Sequence, residues 1–244
     1  MEHERIGKEQ KRGEEGECRV LIGFETDWLG AEESGVIVRQ VLAHGRAEGE
    51  AFDFFVGSVH HVWGTPIDYD KDMYDGVKEA CGGEEGLWGE YFDAQFEMLE
   101  ALRPKVVGHF DLVRLFSGEP ERQLTWWKNG GVWEKVKRNL RCVKEYDGLL
   151  EINSSALRKG LKEPYPRREI CEEWTRMGGL FVLSDDSHAV EQVGTQYERV
   201  FDFVKSMGLE KIAYLDRDGD GVVTTKTMPF AEFERHEFWS CKTR

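Results

Sequence analysis

The sequence has no apolar run of the roughly 20 residues that a bilayer-spanning helix needs, and its first seventeen residues carry charge and glycine where a secretory signal would be apolar. A membrane partner is therefore not expected, and cytoplasm is the expected compartment. Basic residues are also short, with 33 Lys and Arg against 47 Asp and Glu for a net charge of -14. Nucleic acid is excluded as an expected partner, because phosphate backbones are bound by clustered cations. Cysteine is scattered over Cys18, Cys81, Cys142, Cys171 and Cys241, odd in number and without a Cys-x-x-Cys pair. That pattern argues against a disulfide framework and for a reducing compartment. What is present suits an ordinary soluble globular protein: 244 residues, 40% of them hydrophobic, are enough for one large α/β domain.

Residues 1–17 read as a solvated, charged tail and 18–244 as the folded domain. Six short apolar runs, CRVLIGFE, FDFFVGSVHH, KVVGHFDL, YDGLLEINSS, GGLFVLSDDSH and KIAYLDRDG, each read as a buried strand entering a loop. Helical patterns lie between them at 36–46, 88–102, 133–145, 167–177 and 195–207. Strand and helix alternating in this way imply parallel pairing. The glycine-rich stretch 73–86 and the segment 116–131, with its adjacent Trp126 and Trp127, read as irregular excursions. The tryptophans have no cofactor-box spacing, and packing is their expected use.

Glu25, His60, His109, Asn153, Asp186 and His188 all fall at the C-terminal end of an expected strand or just beyond. In a parallel barrel those ends converge on one face. Imidazoles and carboxylates together are ligands for zinc, iron or manganese. A lone histidine in a strand is more often a hydrogen-bonded core residue; it is the recurrence in successive units that points to a hydrolytic metal cluster. Asp186-x-His188 is the sharpest pair, with Asp185 expected to face away or to cap. His61 should point opposite to His60 if the strand persists, and is left out of the ligand set.

The strings Gly-Phe-Glu at 23–25, Gly-Ser-Val-His-His at 57–61, Gly-His-Phe-Asp-Leu at 108–112, Glu-Ile-Asn-Ser-Ser at 151–155 and Ser-Asp-Asp-Ser-His at 184–188 resemble successive motifs of the PHP-family (polymerase and histidinol phosphatase) histidinol phosphatases. They come in the family's order, and the aromatic, glycine-containing insertions are similar to fungal members. The resemblance implies an α/β fold, a distorted TIM-like barrel of parallel strands and helices, holding a phosphatase of histidine biosynthesis that hydrolyses histidinol phosphate. It implies up to three divalent transition metal ions, zinc, manganese or iron. Glu25 would bridge two of them, His60 and His109 would complete one, Asp186 would bind a second and His188 a third. The nucleophile would be metal-activated water, with no catalytic protein side chain.

Arg114 and Arg158 are the candidates for gripping the substrate phosphate, against the commoner fate of a salt bridge. Glu151 and Asp111 are candidates for meeting the substrate's cationic amine, and Asn153, Ser154 and Ser155 either orient phosphate or cap a turn. The family's opening His-x-His strand and its following Glu-His strand do not occur here. The expectation is therefore a partial domain, incomplete at the N-terminus, with a truncated or non-catalytic remnant keeping a single metal position as the alternative. Such a barrel should show an unpaired edge and exposed apolar side chains. Oligomeric state is not legible. Asp216-x-Asp218-x-Asp220-Gly221 imitates a calcium loop, but Thr227 stands where its closing glutamate belongs, so an acidic turn between two strands is expected instead.

Overall fold

A computed structural model describes residues 20–46, 50–122, 124 and 131–240. The expected tail 1–17, Cys18, Cys241 and the Trp126–Trp127 pair lie outside the described residues. Five parallel strands form the main sheet in the order β1 (Gly23–Asp27), β2 (Phe54–Ser58), β5 (Val106–Val107), β6 (Leu149–Asn153) and β7 (Phe181–Ser184). Each coincides with one of the apolar runs. All five residues of β6 are buried, as a parallel strand covered on both faces requires.

Helices make the crossovers. After β1 comes α1 (Ser34–His44); after the small hairpin β3 (His61–Val62) and β4 (Thr65–Pro66) come α2 (Lys71–Ala80) and α3 (Glu84–Leu102). Further along, α4 (Val132–Glu145) leads into β6, α5 (Ser155–Arg158) and α6 (Arg168–Arg176) follow it, and α7 (Tyr197–Ser206) follows β7. The longest helix, α3, buries Leu87, Tyr91, Gln95, Met98 and Leu99 at helical spacing. Acidic Glu84 and Glu85 occupy its first turn, where negative charge favours the helix dipole. Facing it, α4 buries Val136, Asn139, Leu140 and Val143. Asn139 donates to the Phe92 carbonyl (2.7 Å) and to Gln95 Oε1 (3.0 Å), and Gln95 donates in turn to the Phe110 carbonyl (2.9 Å). This buried polar chain fixes the loop that carries His109.

Two stretches differ from the sequence reading. Much of 73–86, expected to be irregular, is helical: α2 covers 71–80, where the Asp70 carboxylate accepts from the Met73 N–H at 2.8 Å and the helix buries Tyr74 and Val77, and α3 begins at Glu84. The last strand, β8 (Lys211–Arg217), does not join the parallel sheet. It pairs antiparallel with β9 (Val223–Pro229), and the acidic stretch forms the turn, where Asp218 Oδ1 accepts from the N–H groups of Asp220 (3.0 Å) and Val222 (2.9 Å). Ala213 and Leu215 of this hairpin still pack with Val106, Leu149 and Val182 of the sheet. Two short helices, α8 (Phe230–Phe233) and α9 (Glu237–Ser240), follow.

Among the described residues β1 is an edge strand, hydrogen-bonded to β2 alone. Near it Val20 (48% exposed), Ile37 (59%) and Leu42 (43%) are apolar and open to solvent. Among the described residues no helix is long and apolar enough to cross a membrane.

Candidate metal centre

Strand alternation puts Glu25 and Asp27 on the same side of β1, and both meet imidazoles delivered by the next strands. Glu25 Oε1 lies 3.2 Å from His109 Nε2 and 3.9 Å from His60 Nε2. The His60 and His109 rings are edge to face, with centroids 4.7 Å apart. Ligand atoms of Glu25, His60 and His109 all lie within 4.8 Å of one another. These three, with Asp186 and His188, line one cavity of about 290 Å³. The sequence argument thus finds its five candidates around a single space, three in a tight group and two on the rim. His188 is the outermost, with its side chain 77% exposed and Nδ1 held 2.9 Å from the Asp186 carbonyl.

The tight group is held by a surrounding set of bonds. Ser58 Oγ donates to Glu25 Oε1, and Asp27 Oδ1 accepts the His60 N–H (3.1 Å) while facing His60 Nδ1 at 3.3 Å. A carboxylate behind a ligand imidazole fixes its tautomer and orientation. Asp27 Oδ2 meets His61 Nδ1 at 2.7 Å, because β2 ends at Ser58 and the alternation that would turn His61 away is broken. His109 is fixed through its backbone N–H, which donates to Glu151 Oε1 at 3.0 Å. Asn153 donates to that same oxygen. Gly108 is required here: a Cβ would collide with Ser58 Oγ, approach Val56 Cγ1 at 2.9 Å and come within 3.5 Å of Glu25 Oε1.

Electrostatics follow from burial and pairing. Burial disfavours a charged Glu25, but the hydrogen bond and charge of His109, the Ser58 hydroxyl and His60 outweigh it and lower its pKa to about 2. Burial also opposes a charged His109, yet Glu25, Glu151 and Asp186 raise it to about 9. Burial holds the Glu151 carboxyl above its ordinary value, against the pull of His109 and Asn153. Two imidazoles and a carboxylate in this group are the donor set of a divalent transition ion. One further feature fits such an ion: His109 Nδ1 is buried without a hydrogen-bond partner, so the ring is oriented through Glu25 and its own backbone.

Four further candidates are not on the lining of the cavity and have other partners. Arg114 is wholly buried, donates to the carbonyls of Glu163 (2.8 Å) and Pro164 (2.7 Å), and pairs with Asp111 at 3.0 Å, so it clamps a loop. Arg158 donates to the carbonyls of Asp185 (2.8 Å) and Asp186 (2.9 Å); it positions the loop that carries Asp186, whose own φ is +50°. Asp111 is buried against Arg114, and Glu151 is the anchor of His109, which leaves neither to receive a substrate amine. Asp185, by contrast, does cap its loop, accepting from the Gly194 N–H and the Ser187 hydroxyl.

Sequence reasoning missed Asp27, Asp68 and Lys159, which also line the cavity. The two-residue spacing from Glu25 could have flagged Asp27. Asp68 follows the two-residue strand β4, which no apolar run announces, and Lys159 follows a helix, so the strand-end signal marks neither.

The family model described as the PHP domain matches residues 4–155. The "Probable histidinol-phosphatase" of Schizosaccharomyces pombe is 34% identical over 211 residues, covering 85% of this chain and 66% of that protein. The histidinol-phosphatase of Saccharomyces cerevisiae is 36% identical over 220 residues, covering 80% of this chain and 65% of that protein. The chain thus spans about two thirds of the length of these curated relatives. A crystal structure from Listeria monocytogenes, named after histidinol phosphatase, superimposes with a TM-score of 0.63 at 28% identity, covering 72% of this chain and 66% of that one. That of Lactococcus lactis histidinol phosphate phosphatase, complexed with zinc, L-histidinol and phosphate, shares the fold with a TM-score of 0.54 at 17% identity over 87% of this chain and 74% of that one.

Proposed function

The chain belongs to the PHP domain family, and from that membership we propose that its cavity is a metal-dependent phosphomonoesterase site that hydrolyses histidinol phosphate. The observation that carries this reading is the meeting of Glu25, His60 and His109 within 4.8 Å, in a cavity that Asp186 and His188 also line. The substrate is drawn from the relatives named histidinol-phosphatase.

Glu25, His60 and His109 would hold one ion, and Asp186 and His188 would contribute to further ones, zinc, manganese or iron and up to three. When bound, such ions supply Lewis acidity toward phosphoryl oxygens and lower the pKa of water. The chain's own residues prepare the place. Asp27 aims His60, Glu151 holds the His109 backbone, and Ser58 fixes the shared oxygen of Glu25. The nucleophile would be water activated by such an ion, with no catalytic protein side chain required. The expected compartment is the cytoplasm.

The test is to dialyse the purified protein, determine its bound metal and measure phosphate release from histidinol phosphate. Zinc- or manganese-dependent release is the expected result, with metal content lowered in His109→Ala. Well-folded, metal-loaded protein without turnover would sink it. That outcome would leave the second reading, a non-catalytic scaffold keeping one ion, which is favoured by the single tight group among the described residues and the exposure of His188.

A further inference from the structure

The cavity contains two charged side chains that the metal centre does not use. Lys159 follows α5, its backbone N–H anchored on the Ser155 carbonyl at 2.8 Å, and lines the space beside Asp186 and His188. It is the one lysine or arginine on that lining among the described residues, and its ammonium makes no hydrogen bond or ion pair with any of them. Asp68 lines the same space next to fully buried Ile67, whose N–H bonds the His60 carbonyl at 2.9 Å and so seats Asp68 beside the ligand strand. Its carboxylate is likewise without a partner and lies outside the tight ligand group. An ammonium and a carboxylate share one small cavity and are not paired with each other. The arginines nearby are committed to backbone carbonyls.

We propose that Lys159 and Asp68 are the two poles of substrate recognition: Lys159 takes a non-bridging phosphate oxygen, and Asp68 takes the primary ammonium of the amino-alcohol end. This rests on the phosphomonoesterase reading and adds what that reading lacks, a cation for the anionic end and an anion for the cationic end. Both contacts are charge-assisted hydrogen bonds, and removing one weakens binding of its own end by roughly tenfold or more.

The test uses the zinc-loaded full chain, with inorganic phosphate and L-histidinol titrated separately by calorimetry. Lys159→Met is expected to weaken inorganic phosphate binding by about tenfold or more and to leave L-histidinol binding unchanged. Asp68→Asn is expected to do the reverse, with zinc content equal to the parent's in both variants. Affinities that do not change, that fall together for both probes, or that fall with loss of zinc would overturn the assignment, as would a parent that binds neither probe. The two readings fail separately. A parent that hydrolyses histidinol phosphate while both variants bind like it refutes only the two poles. A parent that binds inorganic phosphate through Lys159 but releases none from histidinol phosphate refutes the substrate and keeps the phosphate pole.

Discussion

His109 is under opposed demands: burial disfavours its charge, while Glu25 at 3.2 Å raises its pKa to about 9. In the metal-free protein this raised value contributes stability that is fully present below the unfolded histidine value of roughly 6.5 and is lost as pH rises through about 9. The Glu25 value lowered to about 2 contributes stability present above the unfolded carboxylate range and lost as pH falls through about 2. An ion must displace the His109 proton, so zinc affinity is expected to rise by roughly tenfold per pH unit between about 7 and 9. Competition titrations against a chelator check this, and an affinity flat across that range would show that His109 is not displaced. At the same scale, Arg114→Met should destabilise folding by about 3–5 kcal/mol, because it strands the buried Asp111 carboxylate. Denaturant titration measures that loss; a stable variant with weakened phosphate binding would restore Arg114 to the site.

Between β5 and the loop after it, a single residue controls the approach of two strands. Gly108→Ala should force the Ser58 hydroxyl off Glu25, costing about 1–3 kcal/mol in overpacking and lowering metal content together with stability. Retained metal at parental stability would mean that the strands give way elsewhere. The loop after β7 depends on α5 in a comparable way. Without its guanidinium, Arg158→Met leaves the Asp185 and Asp186 carbonyls without their donor, at about 1–3 kcal/mol. Hydrogen exchange should quicken in 185–194 and leave β1 and β2 unchanged. Uniform exchange across both regions would contradict a local clamp.

For the molecule as a whole, the ligands come from separate βα units, so an ion ties together segments that are far apart in sequence. Binding to the folded chain alone stabilises it by mass action, by about 2.7 kcal/mol at a free ion concentration a hundred times Kd. Thermal melting should therefore shift upward with zinc and return on chelation, and His109→Ala should abolish most of the shift. A melting temperature indifferent to zinc in the parent would remove the ion from the fold's energetics. The same scale explains the open edge at β1: the outward apolar side chains of Val20, Ile37 and Leu42 have no covering element among the described residues.

The sequence by itself determined the parallel α/β framework and the places of His60, His109, Asp186 and His188 just beyond strand ends, because burial on both faces of a strand and the exit of the chain into a loop are written in local apolar runs; Glu25, expected at a strand end, sits in the middle of β1, which runs on to Asp27. The tertiary structure alone decided what the charged side chains do. Arg114 and Arg158 became clamps because carbonyls from distant loops arrive beside them, and β8 pairs with β9 across the acidic turn while still packing on the sheet. Asp27 acquired both His60 and His61 because β2 ends at Ser58, two residues before His60, so strand alternation no longer sends them to opposite sides, while Lys159 and Asp68 reached the cavity through a helix end and a loop. A hydrophobic period is a property of neighbours in sequence, whereas the partner of a charge is whichever segment folding brings within a few ångströms, and that choice leaves no periodic trace.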